Sequence, residues 1–219
     1  MYSYEDITKN VNINTYISKA DESLKALGFT EHSFAHVTKV ATDAAYILET
    51  MGFDSHDIEL AKIAGYIHDI GNLVNRSEHS QSGAVMAFKI LSDLGFCAQD
   101  IATITTAIGN HDEGTGVAVN PVAAALILAD KSDVRYTRVR NSDFKSFDIH
   151  DRVNYSVKKS GIKISEDKTN ITLKLDIDVS VSSVMDYFEI FLQRMIMCRK
   201  AAQFLGLKFK LIINEQQLM

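Results

Sequence analysis

The sequence predicts a mainly helical protein with a small α+β extension towards its C-terminal end. Apolar residues recur every three or four positions through the first 140 residues, and the only proline of the chain is Pro121. After Arg140, two segments alternate apolar and polar residues, as half-buried strands do. We therefore divide the chain into a helical lead-in at 1–27, a helical domain at 28–140, and a connecting segment with the extension at 141–219.

The first helix of the 28–140 domain is predicted from Thr30 to about Thr50. Thr30 can cap its N-terminus, Phe29 and Phe34 can form a hydrophobic staple, and Gly52 marks its end. One face of this helix carries four residues at helical spacing: His36, Val40, Ala44 and Leu48.

The second predicted helix runs from about Asp57 to Ile70 and ends at Gly71. Its inner face includes His68, and Asp69 occupies the next position. A histidine and a carboxylate are therefore adjacent near the end of a largely apolar helix.

Each of the next two predicted helices brings one further histidine inward. One runs from near Ser77 to Gly95 and has His79 on its apolar face. The other runs over residues 98–110, and His111 continues its apolar stripe. In the last helix of the domain, which Asn120 and Pro121 begin, Asp130 shares a face with apolar residues.

The extension is predicted to contain a hairpin, a helix and a final strand. The segments GIKISED and NITLKLDID form the hairpin, with a turn at 167–169. Residues 180–205 return to helical spacing, with Tyr187, Phe188 and Phe191 in the core, and KFKLIIN at 208–214 can complete the sheet.

The composition narrows the classes of partner and compartment. A net charge of −5 and a pI near 5.8 argue against binding to a nucleic-acid polymer or an anionic membrane. Cys97 and Cys198 do not suggest a disulfide framework, and the N-terminal residues do not resemble a signal peptide. We expect a cytoplasmic protein, with a homodimer as one assembly that the extension could support.

Four histidines and two aspartates lie on faces of the predicted helices that are otherwise apolar, where an unsatisfied polar group is costly. A single histidine of this kind is more often a hydrogen-bonded core residue, but six together favour a metal site. Imidazole and carboxylate ligands suit Fe, Mn, Zn or similar divalent ions. The predicted metal ligands are His36, His68, Asp69, His79, His111 and Asp130.

In order and spacing, His36, the doublet His68–Asp69 and Asp130 resemble the HD-domain metal-dependent phosphohydrolase superfamily. The resemblance covers about residues 28–140 and implies an HD-domain helical bundle. It also implies that these four residues hold one metal ion. The expected activity is hydrolysis of a phosphoester or phosphoanhydride in a small molecule, such as a nucleotide or dinucleotide, by a metal-activated hydroxide.

His79 and His111 resemble the additional ligands of the two-metal branch, which is similar to HD-GYP phosphodiesterases and bacterial dinucleoside tetraphosphate hydrolases. This resemblance implies that Asp69 bridges to a second metal ion held by the two histidines. The chain has Asn72 where HD-GYP proteins usually have lysine, and no GYP tripeptide follows. Both departures argue against cleavage of a cyclic dinucleotide.

Catalytic roles are predicted for Asp69, Lys131 and His32, the last as a proton donor to the leaving group. Positively charged residues follow Asp130 closely enough to bind an anionic substrate beside the metals. The predicted substrate-binding residues are Lys131, Arg135, Arg138 and Asn72, with Arg140 as a further candidate.

Three other features each have two alternative roles. Asp133 can orient a ligand histidine or pair with Arg135. The segment HDEGTG at 111–116 is either a turn that ends a helix or a mobile loop at the site. The doublet His150–Asp151 lies outside the matching region without apolar helical flanks, so it is either structural or faces the substrate.

Two alternative functions remain open at the level of sequence. Some HD-fold proteins that resemble this ligand set are di-iron oxygenases, which would use oxygen rather than water. A non-catalytic module that senses a nucleotide is the other alternative, and Asn72 in place of lysine is its best support.

Overall fold

A computed structural model describes residues 3–219, and its secondary structure is mainly helical, as predicted. The helices are α1 (Tyr4–Lys9), α2 (Val11–Ala26), α3 (Phe34–Met51), α4 (Ser55–Ile67), α5 (His79–Asp93), α6 (Ala98–Gly109), α7 (Pro121–Ser132), α8 (Ile149–Ser156) and α9 (Val184–Phe204). The strands are β1 (Val157–Ile164), β2 (Asn170–Ile177), β3 (Lys208–Ile213) and β4 (Gln216–Gln217). Short 3-10 helices lie at Ile70–Leu73, Tyr136–Arg138 and Phe144–Ser146.

Helix α7 lies at the centre of the molecule. It contacts α3, α4 and α6 on one side and α9 on the other, and every residue from Val122 to Ala129 is buried. Asn120 caps its N-terminus by accepting a hydrogen bond from the backbone N–H of Ala123, with Pro121 at the first helical position. A helix that is apolar all round can only be stable inside such a core.

The C-terminal extension forms one four-stranded sheet in the order β1-β2-β3-β4. β1 and β2 form the predicted antiparallel hairpin, and β3 pairs with β2 in parallel. The parallel pairing requires a crossover connection, which α9 provides. The predicted strand at 208–214 therefore does complete the sheet, whereas β4 was not predicted.

The predicted start of the first domain helix is wrong. Thr30 does not cap a helix, because α3 begins at Phe34. The segment before it is held in extended form by hydrogen bonds from the backbone N–H of His32 to Asp21 and of Glu31 to Arg138. The proposed staple is wrong as well, since Phe29 and Phe34 remain 41% and 39% exposed.

Gly71 does not end α4, as the sequence suggested. The helix ends at Ile67, and Gly71 lies inside the 3-10 helix that follows. A Cβ atom on Gly71 would lie 1.9 Å from the carbonyl oxygen of His79. Glycine is therefore needed here because α5 approaches closely, whereas Gly52 does end α3 in the predicted left-handed conformation at φ 87°.

The doublet His150–Asp151 lies in a helix that the sequence did not indicate. Asp148 caps α8 by accepting a hydrogen bond from the backbone N–H of Asp151. Among the residues described, no helix is both long enough and apolar enough to cross a membrane. The domain boundaries at 27 and 140 remain predictions, and buried residues from both sides of position 140 share one continuous core.

Candidate metal centre

The structure brings the six predicted metal ligands together. His36 comes from α3, the adjacent His68 and Asp69 from the end of α4, and Asp130 from α7. His79 begins α5, and His111 follows α6. The imidazoles are buried, with exposures between 0% and 3%.

Asp69 lies between the two groups of histidines. Its Oδ2 is 3.3 Å from Nε2 of His68 and 3.7 Å from Nε2 of His36. Its Oδ1 is 3.5 Å from Nε2 of His79 and 3.8 Å from Nε2 of His111. One carboxylate thus faces both groups of histidines, each through a different oxygen.

Asp130 completes the first group. Its Oδ1 lies 3.3 Å from Nε2 of His36 and 3.7 Å from Nε2 of His68. Its other oxygen, Oδ2, lies 2.8 Å from Nζ of Lys131. The lysine neutralises part of the charge on Asp130 and leaves Oδ1 directed at the histidines.

The Nδ1 atoms of all four histidines are next to strong acceptors. The acceptor for His36 is Oδ2 of Asp133 at 2.8 Å. For the other three histidines it is a backbone carbonyl oxygen: Gly65 for His68 at 2.8 Å, Arg76 for His79 at 3.2 Å, and Ile108 for His111 at 2.6 Å. Each neutral ring therefore carries its proton on Nδ1, and its Nε2 lone pair is directed into the cluster.

This arrangement leaves most of the Nε2 atoms without suitable partners, since among the described residues only Nε2 of His79 has a donor, Nη1 of Arg76 at 3.5 Å. Nε2 of His36 and of His68 are buried and have no hydrogen-bond partner among the described residues. Nε2 of His79 and of His111 lie 3.2 Å apart, so two lone pairs face each other. Lone pairs and carboxylates in one buried cluster repel one another unless a cation lies between them.

The pKa of His68 also shows that the cluster attracts positive charge. Burial lowers this pKa, but Asp69 and Asp130 together outweigh burial and raise it to about 10. For His111, burial and the neighbouring positive charges of His68 and Lys131 lower the pKa to about 3. A cation at the centre of the cluster would replace the proton on His68.

Two sets of donor atoms are close enough together to hold a metal ion. One consists of His36, His68 and Asp130, and the other of His68, Asp69 and His111. Nitrogen and carboxylate donors of this kind suit divalent transition metals. The donor chemistry and the unpartnered Nε2 atoms therefore fit the metal site expected from the sequence.

Asp133 has the orienting contact that was one of its two predicted roles. Its side chain is buried beside His36, and it also accepts hydrogen bonds from Nε and Nη2 of Arg135. Burial raises its pKa, but the hydrogen bond from His36 and the charge of Arg138 lower it well below the ordinary range. A permanently ionised Asp133 favours the Nδ1-protonated form of His36.

A cavity of about 350 Å³ opens beside the cluster. Asp69, His79 and Asp130 contribute to its lining. The other lining residues come from the segment before α3, from α7 to α9 and from the connections between them: Leu27, Gly28, Phe29, Thr30, His32, Arg76, Lys131, Arg138, Asp148, His150, Asp151, Asn154, Phe191 and Arg194.

The predicted substrate-binding residues divide into two groups. Lys131 and Arg138 line the cavity and are each 4% exposed. Arg135 does not line it and pairs with Asp133 instead. Asn72 is buried beneath the cluster, where its Nδ2 donates to Oδ1 of Asp69 at 3.0 Å, and Arg140 pairs with Asp21.

His32 lines the cavity, but its predicted role as a proton donor conflicts with its environment. Its Nδ1 lies 2.7 Å from the carbonyl oxygen of Thr30, and its ring is 5.5 Å from that of His36. Burial and the nearby charge of Arg138 lower its pKa well below the ordinary value. A neutral ring protonated at Nδ1 presents Nε2 as an acceptor, so His32 is better suited to receive a proton.

The sequence did not single out Arg76 or Arg194 as cavity residues. Arg76 lies one turn before His79, and its Nη1 donates to Oδ1 of Asn72 at 3.3 Å. Its position close to a predicted ligand was the available signal. Arg194 lies outside the region of resemblance, and only the packing of α9 on α7 brings it to the cavity.

The structure also shows where the two segments lie whose roles the sequence left open. HDEGTG begins with His111 and continues as a turn, in which the backbone N–H of Gly116 donates to the carbonyl oxygen of Asp112. His150 and Asp151 line the cavity on the side formed by α8, which agrees with the substrate-facing alternative. Phe191 is 2% exposed, as predicted for a core residue, and also contributes to the cavity wall.

Comparison with known proteins agrees with the fold expected from the sequence. Residues 33–136 match the family model described as the HD domain. This stretch contains α3 to α7, which together contribute all six residues of the cluster. Residues 33–136, slightly less than half of the chain, are therefore similar to the HD domain family.

Two similar proteins extend the comparison. The chain is 25% identical over 211 residues to the uncharacterized protein MJ1020 from Methanocaldococcus jannaschii, covering 85% of this chain and 79% of that protein. It is also similar to the crystal structure of a predicted HD superfamily hydrolase from an uncultured Thermotogales bacterium. That similarity has a TM-score of 0.44 at 24% identity, and it covers 57% of this chain and 67% of the other.

Proposed function

We propose that this protein is a metal-dependent phosphohydrolase that acts on a phosphoester or phosphoanhydride of a small molecule. The main observation in support is the convergence of four histidine Nε2 atoms and two carboxylates beside a cavity whose wall includes Lys131 and Arg138. The cluster suits a metal ion, and the wall suits an anion. A phosphorylated substrate needs both.

In this proposal, His36, His68, Asp69 and Asp130 would hold one metal ion. His79 and His111, together with Asp69, would hold a second ion. Two divalent cations, when bound, clamp phosphate oxygens and lower the pKa of water enough to supply a nucleophile near neutral pH.

The remaining chemistry comes from side chains of the cavity wall. Lys131 and Arg138 are buried cations beside the cluster, where they can bind phosphate oxygens and stabilise the charge that develops on them. Arg138 is fixed in place, because its Nε donates to the carbonyl oxygen of Glu31 and its Nη1 to that of Asp133. His32, held neutral, can accept a proton at Nε2.

The size of the cavity supports a small-molecule substrate. A volume of about 350 Å³ is at the lower end of the range for ligand pockets, which begins at about 300 Å³. Such a volume accommodates a nucleotide or a part of a dinucleotide better than a folded polymer. The net charge of −5 also argues against nucleic-acid polymers as substrates.

The test begins with metal analysis of protein purified without chelator. The protein is then stripped with a chelator, reconstituted with Mn²⁺, and assayed for phosphate release from a panel of nucleotides and dinucleotides. We expect two metal ions per chain and release that is lost on stripping and restored by Mn²⁺, with or without oxygen. Metal-free protein that binds no Mn²⁺ would contradict the proposal, and substrate loss that requires oxygen would favour an oxygenase.

A further inference from the structure

Arg194 brings a positive charge from the C-terminal extension into the cavity that contains the candidate metal centre. It lies on α9, one turn after Phe191, and both residues line the cavity. Its side chain is 27% exposed, so it is accessible to a ligand. The residues assigned to catalysis and substrate binding above all precede residue 140, and Arg194 has no role among them.

Two contacts hold the guanidinium in place. Its Nε lies 2.5 Å from Oε1 of Glu113, and its Cζ lies 4.5 Å from the centre of the Phe191 ring. The other oxygen of Glu113 lies 3.5 Å from Nζ of Lys131, which in turn contacts Asp130. Glu113 therefore fixes Arg194 relative to the candidate metal centre.

The outer edge of the Arg194 guanidinium has no partner within the chain. No described residue accepts a hydrogen bond from its Nη1 or Nη2, whereas Arg135 uses both Nε and Nη2 to bind the carboxylate of Asp133. Nη1 and Nη2 together form a fork that matches two oxygens of a phosphate or carboxylate. These donors are therefore available to a ligand in the cavity.

We propose that Arg194 binds a second anionic group of the substrate, on the side of the cavity formed by the extension. The proposal rests on the proposed function, which places the first phosphate at the metal centre. It narrows the substrate class to molecules with two anionic groups, such as a diphosphate or a phosphate that also carries a carboxylate. Glu113 is then a positioning residue that holds Arg194 and Lys131.

The test uses methylenediphosphonate, a diphosphate analogue that cannot be hydrolysed, and methylphosphonate, which has one anionic group. Both are titrated by calorimetry into wild-type protein, Arg194→Gln and the matched control Arg199→Gln, in excess Mn²⁺. Arg199 lies on the same helix and is exposed. Because Mn²⁺ is in excess, the two phosphonates chelate free metal to the same extent in every titration.

We expect Arg194→Gln to raise the Kd of methylenediphosphonate by about tenfold or more, as the loss of a charge-assisted contact predicts. The Kd of methylphosphonate should change much less, and Arg199→Gln should bind both as the wild type does. Equal binding of methylenediphosphonate to wild type and Arg194→Gln would overturn the proposal, as would its failure to bind to the wild type.

Two further measurements separate the binding role of Arg194 from effects on folding and on metal binding. Glu113→Gln keeps the Arg194 side chain but removes the carboxylate that positions it, so it should also weaken the binding of methylenediphosphonate, by a smaller factor. The titrations of wild type and Arg194→Gln are repeated on metal-free protein. If metal analysis contradicts the phosphohydrolase while Arg194→Gln still weakens binding, only the proposed function fails.

Discussion

The two groups of histidines in the candidate metal centre differ in the carboxylates that they face. The inner group, His36 and His68, faces both Asp69 and Asp130. The outer group, His79 and His111, faces Oδ1 of Asp69, with Asp112 at 3.9 Å from His79 as the next carboxylate. The inner position therefore has more negative charge to hold a cation.

The two groups also differ in what orients their rings. In the inner group, His36 donates its Nδ1 proton to the ionised carboxylate of Asp133, whereas His68 and both outer histidines donate to backbone carbonyl oxygens. A carboxylate acceptor raises the basicity of a ligand histidine more than a neutral carbonyl does. We therefore expect an inner metal ion to bind more tightly than an outer one.

The largest effect is expected from Asp69→Ala, which removes the carboxylate shared by both groups. We expect both metal ions to be lost and phosphate release to fall by about three orders of magnitude, because several kcal/mol of charge stabilisation disappear. Metal analysis and the phosphate assay measure this. Asp93→Ala, an exposed carboxylate on α5, is the control, and two retained metal ions in Asp69→Ala would show that Asp69 is not shared.

A selective effect is expected from His111→Gln. The variant should lose the outer metal ion and keep the inner one, since His36, His68 and Asp130 are intact. Metal analysis should then give one ion per chain, and the opposite variant His36→Gln should lose the inner site. If His111→Gln emptied both sites, the comparison between the two groups would be wrong.

A smaller effect is expected from Asp133→Asn, which keeps an acceptor for His36 but removes its charge. The affinity of the inner site should fall by about 10-fold to 100-fold, the range typical of residues that orient a metal ligand. Competition with a fluorescent chelator measures this affinity. Asp43→Asn, on α3 but paired with Lys39, should leave it unchanged.

Asp133→Asn should also change how the free energy of unfolding of the metal-free protein depends on pH. The pKa of Asp133 is lowered in the folded state, so its ionisation stabilises the fold above the unfolded value of about 3.9. That stabilisation is lost as the pH falls below this value. Denaturant unfolding should therefore show a difference between wild type and Asp133→Asn at pH 7 that shrinks towards pH 3.

The smallest effect is expected from Arg135→Gln, although the sequence predicted a role for Arg135 in substrate binding. Arg135 pairs with Asp133 and lies outside the cavity wall, so kcat/KM should stay within about fivefold of the wild type. Arg138→Gln, which alters the wall, should raise KM by more. If Arg135→Gln raised KM as much as Arg138→Gln does, Arg135 would contribute to substrate binding as the sequence predicted.

Most of the fold could be predicted from the sequence, because helical periodicity, caps and alternation are local properties. The predicted helix over 98–110 and the start at Asn120–Pro121 are confirmed. The same periodicity placed His36, His68, His79 and Asp130 on inner faces, and inner faces of one small domain must meet. For this reason the six predicted ligands lie together in the structure, although their role in binding metal remains a prediction.

The surroundings of those residues could not be predicted from the sequence, because they depend on long-range contacts. The Nδ1 acceptors are mostly backbone carbonyls, which every residue has and no sequence pattern reveals. The start of α3 was set by contacts with Asp21 and Arg138, distant in the chain, and these overrode the local signal at Thr30. Arg194 reaches the cavity only because α9 packs on α7, and the spacing of residues along a chain contains no information about such long-range contacts.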